Sequence, residues 1–187
     1  MKTYLAKLKS VSPLTSSRFH NTPKVNDRER PDEYDQRTWR EKLTFTPDRK
    51  VIINPIAFKF ALTAAARYSG EQIPGKGKRT YTKLFESGIL IPEPVLLGVA
   101  VDSVNFIDIY VNADGKRGSG KRVIRRFPII PEWQGDLKII ALDEGISGDI
   151  LKKFLTMAGQ FIGVGQYRAE VGGSNGRFTI ESFKLVD

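Results

Sequence analysis

The sequence has 187 residues, 40% of them hydrophobic, with 30 Lys and Arg against 21 Asp and Glu and no cysteine. That length supports one well-cored domain better than two, and the lack of thiols excludes disulfide frameworks, thiolate nucleophiles and cysteine metal sites. The net charge of +9 is concentrated, because KGKRTYTK (76–83) and GKRGSGKRVIRR (115–126) together hold ten cations and no acid; focused charge of this kind is the footprint of a polyanion binder, whereas a solubilising surface intersperses both signs.

The first residues, MKTYLAKLKSVSPL, scatter lysines without a leader-like apolar core, and no run of about 18 apolar residues follows, so a soluble, cytoplasmic protein is expected. Residues 12–42 are polar, proline-punctuated and aperiodic, which predicts an extended N-terminal arm over 1–42 ahead of a single domain over 43–187. Trp39 would either anchor the end of that arm or stack on a base. KLTFTPDRKVIIN predicts strand residues around a Pro47-Asp48 turn. NPIAFKFALTAAARY predicts a helix capped by Asn54, opened by Pro55 and stopped at Gly70, with Ile56, Phe60 and Ala64 on a packing face and Lys59, Thr63 and Arg67 on a polar one.

After the first basic loop, ILIPEPVLLGVAV, VNFIDIYVN, RVIRRFPII and DLKIIAL read as strands, with a turn at NADG before the second basic loop. SGDILKKFLTMAG reads as a helix capped by Ser147 and ended by Gly159, and strands near 161–167 and 177–186 close the chain. The regular core is therefore strand, helix, strands, helix, strand. That is the split pattern of a ferredoxin-like α+β domain: an antiparallel sheet with two main helices and basic insertions near 70–83 and 112–126.

Catalytic signatures are absent. GEQIPGKG (70–77) matches G-x-x-x-x-G-K, but Gly77 stands where a P-loop holds magnesium with Ser or Thr, and the stretch follows a helix and contains Pro74. In GVGQYR the third glycine of a dinucleotide fingerprint is Arg168. His20 is the one histidine, so neither a zinc site nor a Ser-His triad can be assembled, and Asp102, Asp108, Asp136, Asp143 and Glu144 follow no ligand spacing. No cofactor or metal is expected, and no enzymatic activity.

Binding does have a signature. Gly75 and Gly77 in the first basic loop, and Gly115, Gly118 and Gly120 in the second, let the backbone approach a ligand, and Tyr81 sets a ring among cations. Lys76, Lys78, Arg79, Lys83, Lys116, Arg117, Lys121, Arg122 and Arg125 would neutralise phosphates. Arg168 and Arg177 would clamp at the glycine-rich stretch 159–178, where Gly163, Gly165, Gly173 and Gly176 offer backbone, and Tyr167 or Tyr81 would stack on bases. The competing explanation is that Gly163 and Gly165 relieve crowding in a bent strand while both arginines are solvated. Nothing encodes base identity, so binding to single-stranded RNA or DNA is expected to tolerate sequence.

Two stretches resemble the RAMP superfamily, ferredoxin-like RNA-binding proteins that build the backbone of CRISPR effector complexes. VIINPIAFKFALTAAARY (51–68) is similar to the family's first strand and helix, with Lys59 and Arg67 at comparable places, although the turn Asn54-Pro55-Ile56 lacks the usual glycine. AGQFIGVGQYRAEVGGSNGRFTIESF (158–183) is similar to the family's C-terminal glycine loop, where Gly163, Gly165, Arg168, Gly176, Arg177 and Phe178 match. The resemblance implies an RNA-binding, non-catalytic subunit, with Lys59 and Arg67 added to the contact set, self-association along a strand and effector-complex proteins as partners. Its basic loops also resemble phage and prophage proteins, which implies a stand-alone relative of mobile-element origin. The alternative reading is an anti-defence factor that mimics or obstructs such a complex through protein contacts.

Overall fold

In the computed structural model, residues 1–112 and 120–186 are described. They form nine strands: β1 (Lys2–Ser10), β2 (Leu14–Thr15), β3 (Lys50–Ile53), β4 (Ile89–Leu90), β5 (Val95–Ala100), β6 (Asn105–Asn112), β7 (Arg122–Ile130), β8 (Gln134–Ala141) and β9 (Phe178–Leu185). Four α-helices accompany them: α1 (Pro31–Thr38), α2 (Pro55–Ser69), α3 (Tyr81–Gly88) and α4 (Gly148–Met157).

β1 corrects the expected arm. Leu5, Lys7 and Lys9 alternate with Tyr4, Ala6 and Leu8, so one face is exposed and the other buried. This makes it an inner strand, antiparallel to β8 from Lys2↔Ala141 to Lys9↔Gln134 and to β9 on its other side. The main sheet runs β4-β8-β1-β9, and its members alternate in the chain with two helices as β1, α2, β4, β8, α4, β9. Phe58 of α2 meets Phe178 of β9 edge-on at 5.8 Å, and Tyr4 lies against Gly148 at the start of α4. A second sheet, β2-β7-β6, carries a long hairpin, and β3 pairs with β5. The KVII strand thus lies outside the main sheet, and β1 is the strand of that sheet that precedes α2 in the chain.

Asn54 accepts the Ile56 N–H (3.0 Å), Pro55 opens α2 and Gly70 (φ 60°) ends it; Ser147 accepts the Ile150 N–H (3.3 Å) at the start of α4. The packing face of α2 is a correction, however. Phe58, Ala61, Leu62, Ala65 and Ala66 are buried, whereas Ile56 and Phe60 are 52% and 64% exposed. Near the C-terminus, residues 161–167 form no strand: α4 continues as a wide turn over Ala158–Ile162, with Gly159 pressed against the Phe178 backbone so closely that a Cβ would overlap it.

Residues 31–42 are also ordered, because α1 is held by charge. Asp35, 1% exposed, accepts from Lys42 Nζ (2.9 Å), the Arg125 guanidinium and the Arg126 N–H (3.2 Å). Burial alone would raise the Asp35 carboxyl, but the hydrogen bonds from Arg125 and Lys42 outweigh it and hold the group below its ordinary value.

Candidate nucleic-acid interface

An open groove of about 640 Å³ lies between the exposed face of α2 and the irregular segment 163–168, with residues 16–18 at its edge. The segment gets its path from backbone-on-backbone packing. Gly165 (φ 82°) leaves no room for a Cβ beside the Thr15 carbonyl, and Gly176 (φ 72°) none beside the Val164 carbonyl. The Val164 N–H donates to Gly176 O (3.0 Å), Gln166 N–H to Thr15 O (2.8 Å), Gly176 N–H to Pro13 O (2.8 Å), Gly163 N–H to Ala158 O (2.8 Å) and Gly173 N–H to Arg168 O (3.1 Å). Of the four glycines expected to cradle a ligand, three therefore have their N–H groups committed inside the protein. Among the described residues, Gly165 alone of the four donates to nothing.

Three arginines rim the groove: Arg67 pairs with Glu86 (3.2 Å), Arg168 with Glu170 (2.7 Å) and Arg18 with Glu41 (4.0 Å), all on partly exposed side chains. Such surface pairs contribute below about 1 kcal/mol each. An incoming phosphate can therefore take over these guanidiniums at little cost. Arg18 was not apparent in the sequence because it sits in the polar stretch, outside both charge runs. Its place is set when Arg18 N–H donates to Lys42 O (2.8 Å) and Ser16 Oγ to the same carbonyl (2.7 Å).

Each wall of the groove is joined to a basic element, α2 through the chain and the segment 163–168 through Tyr167. Gly70 ends α2 and opens the first basic loop, which is knit by Ile73 N–H to Arg79 O (2.8 Å) and Tyr81 N–H to Glu71 O (3.1 Å). Its Lys76, Lys78 and Arg79, with Lys83 on α3, are exposed and form no ion pair among the described residues. On the other wall Tyr167 packs edge-on to Phe127 of β7 (5.4 Å), and burial raises its phenol pKa. From there the β6–β7 hairpin runs out to exposed Lys121 and Arg122. Lys116 and Arg117, with Gly115 and Gly118, lie outside the described residues.

Several expected contacts are instead internal. Lys59 Nζ donates to Phe85 O (2.7 Å) and Ile89 O (2.6 Å), tying α2 to the end of α3, and burial pushes its ammonium pKa down. Tyr81 is 4% exposed, wedged between Phe85 and Phe154, so it presents no face to a base. Arg125 is engaged by Asp35 and Arg126 by Asp108 (2.8 Å). Arg177 uses its backbone, donating to Ser12 Oγ (3.0 Å) and accepting from Val11 N–H (2.8 Å), while its enclosed Nε has no partner among the described residues. Trp39, 4% exposed, anchors α1 against Phe106 (5.4 Å). His20 bonds Thr22 (3.0 Å) and stacks on Tyr34. Among the described residues no three His, Asp or Glu side chains gather to hold a metal, and no helix is long and apolar enough to cross a membrane.

No protein-family model and no curated protein matches the sequence. Among solved structures, the chain is similar to one in the Type III-B Cmr-beta complex bound to cognate target RNA, with TM-score 0.56 and 11% identity over 98% of this chain. It spans 60% of that chain's length. Cmr6 from Pyrococcus furiosus superposes with TM-score 0.49 and 11% identity over 96% of this chain and 98% of its own. A chain of a CRISPR RNA-guided surveillance complex does so with TM-score 0.34 and 8% identity over 83% of this chain and 58% of its own. The first of these shows a shared fold of mixed helices and antiparallel sheets.

Proposed function

We propose that the protein binds a single strand of RNA or DNA along its phosphate backbone, with little regard to sequence and without cutting it. The carrying observation is the groove, where Arg18, Arg67 and Arg168 are held by replaceable surface pairs, together with the exposed cations of the first basic loop and the hairpin. The phosphate chain is the anion that repeats along such a length, and an open single strand has no major groove in which a helix or ribbon could read base edges. We read the sheet order β9-β1-β8-β4, threaded by α2 and α4, as a ferredoxin-like, RAMP-type core in one domain, with the first basic loop and the β6–β7 hairpin as insertions. The fold shared with a subunit of an RNA-bound complex supports this reading. Copies lying side by side on one strand, as in a backbone subunit of mobile-element origin, fit the same charge layout.

The test is a low-salt binding series with single- and double-stranded RNA and DNA. If about six phosphates are neutralised, log K should fall against log salt with a slope near −4 for a single strand. A flat salt response overturns the reading. A second reading, a protein-interaction factor occupying a place in an effector complex, is favoured by Tyr110 and Ile124, cross-strand neighbours 62% and 51% exposed on the hairpin. Size-exclusion before and after nuclease separates the two, since a strand binder this basic carries nucleic acid from the cell and loses it on digestion.

A further inference from the structure

We infer that the protein binds bases as well as phosphates, stacking them on the exposed rings of Phe60 in the groove and of Tyr68 and Phe161 beside it; this rests on the strand-binding reading above. Ile56, Phe60, Ala64 and Tyr68 follow one another at intervals of four along α2, so they share one face. Apart from Ala64, which packs against the core, that face lies outside it, and Phe58, Leu62, Ala65 and Ala66 fill the core from the opposite side. Phe60 and Tyr68 are each 64% exposed and Phe161 47%. A single exposed ring on a protein surface is ordinary, but several in and beside one groove mark a contact surface.

Two of the rings are already arranged as a ledge. Tyr68 and Phe161 come from different elements and stack at 5.5 Å with 22° between their planes, leaving ring surface open to solvent. Phe60 and Arg67 line the groove, whereas Tyr68, next to Arg67 in the chain, and Phe161, two residues before Gly163, lie outside that lining and extend it as an aromatic ledge. A partner must then be anionic and carry flat apolar faces at intervals, a combination that fits a single-stranded nucleic acid. A duplex hides its base faces within the stack, whereas an open strand presents them.

The spacing sets the geometry of the bound strand. Phe60 and Tyr68 are separated by eight residues, about 12 Å along the helix axis. Bases stacked on each other in a helical strand stand about 3.4 Å apart, so the bases on these two rings are not stacked neighbours. The strand is splayed across Ala64, with intervening nucleotides held by the arginine rim.

The experiment compares a labelled single-stranded oligonucleotide with an abasic strand of the same length, using the intact chain and the variants Phe60→Ala, Tyr68→Ala and Tyr68→Phe. Both sites are exposed, and unchanged thermal unfolding midpoints would confirm intact folds. Expected is tighter binding of the base-bearing strand, reduced roughly 5- to 100-fold by Phe60→Ala or Tyr68→Ala and retained by Tyr68→Phe, with abasic binding within about twofold throughout. Equal affinity for both strands, or alanine variants that bind the oligonucleotide like the parent, overturns the stacking site and leaves phosphate binding standing. Failure of both strands to bind at low salt overturns the strand-binding reading and the stacking site with it.

Discussion

Asp35 is the carboxylate on which the placement of α1 depends, since it receives Lys42, Arg125 and the Arg126 N–H together. Replacing it with Ala leaves Lys42 as an uncompensated cation with 5% exposure, and should lower stability by about 3 kcal/mol or more in urea unfolding. Its folded pKa lies below the unfolded value of about 3.9, so its contribution is present above that value and lost as pH falls through the folded one. Asp108, Asp102 and Asp48 are depressed as well, by hydrogen bonds from Arg126, Arg49 and Thr46. The signature of Asp35 is therefore a difference: below about pH 4 the parent should lose urea resistance more steeply than Asp35→Asn. The two arginines of the glycine-rich stretch should separate in the same way. Arg168→Ala should weaken strand binding several-fold at unchanged stability, while Gly176→Ala, which forces a Cβ into the Val164 carbonyl at φ 72°, should cost about 1–3 kcal/mol from the backbone conformation alone. Arg177→Ala keeps the backbone bonds to Ser12 and Val11, so it should leave strand binding unchanged in the same assay.

Elements whose periodicity matched their burial could be read from the sequence, and those held by other forces could not. α4 could be read because Leu151, Phe154 and Leu155 form its one apolar stripe, and α2 could be read as a helix from Asn54, Pro55 and Gly70. Which face of α2 packs was not legible, because alanines and rings surround it and both 58-62-65 and 56-60-64 satisfy helical spacing. α1 escaped notice because its buried residues are Asp35 and Thr38, which no hydrophobic pattern detects. β1 did alternate, but with Ala6 as an inner residue and lysines outside it resembled the polar stretch that follows. In the glycine-rich stretch the residue types were plain, but whether an N–H faces a ligand or a carbonyl depends on segments as remote as Pro13 and Thr15. The first basic loop, by contrast, has a separable role. Replacing Lys76, Lys78 and Arg79 with Ala should leave stability unchanged, because none bonds through its side chain among the described residues, and should flatten the salt slope by about 0.7 for each phosphate that is no longer neutralised.

Across the whole molecule, the net charge of +9 divides into cations that hold the fold together and cations that face outward. Lys42, Lys59, Arg125 and Arg126 belong to the first set, and Lys76, Lys78, Arg79, Lys83, Lys121 and Arg122 to the second. On the strand-binding reading the outward cations serve one path, from the first loop at the end of α2, along the groove, and past the Tyr167–Phe127 contact to the hairpin. Arg122 is five residues from Phe127 on β7, about 17 Å of strand. A strand of a few nucleotides can therefore engage the groove and the first loop but not the hairpin end. Salt dependence should accordingly grow with oligonucleotide length, from a slope near −2 for about three neutralised phosphates to one near −4 for about six. Replacing Lys121 and Arg122 with Ala should reduce the slope only for the longer strands. Equal loss at every length would place the hairpin cations beside the groove rather than beyond it, and a slope independent of length would confine binding to the groove alone.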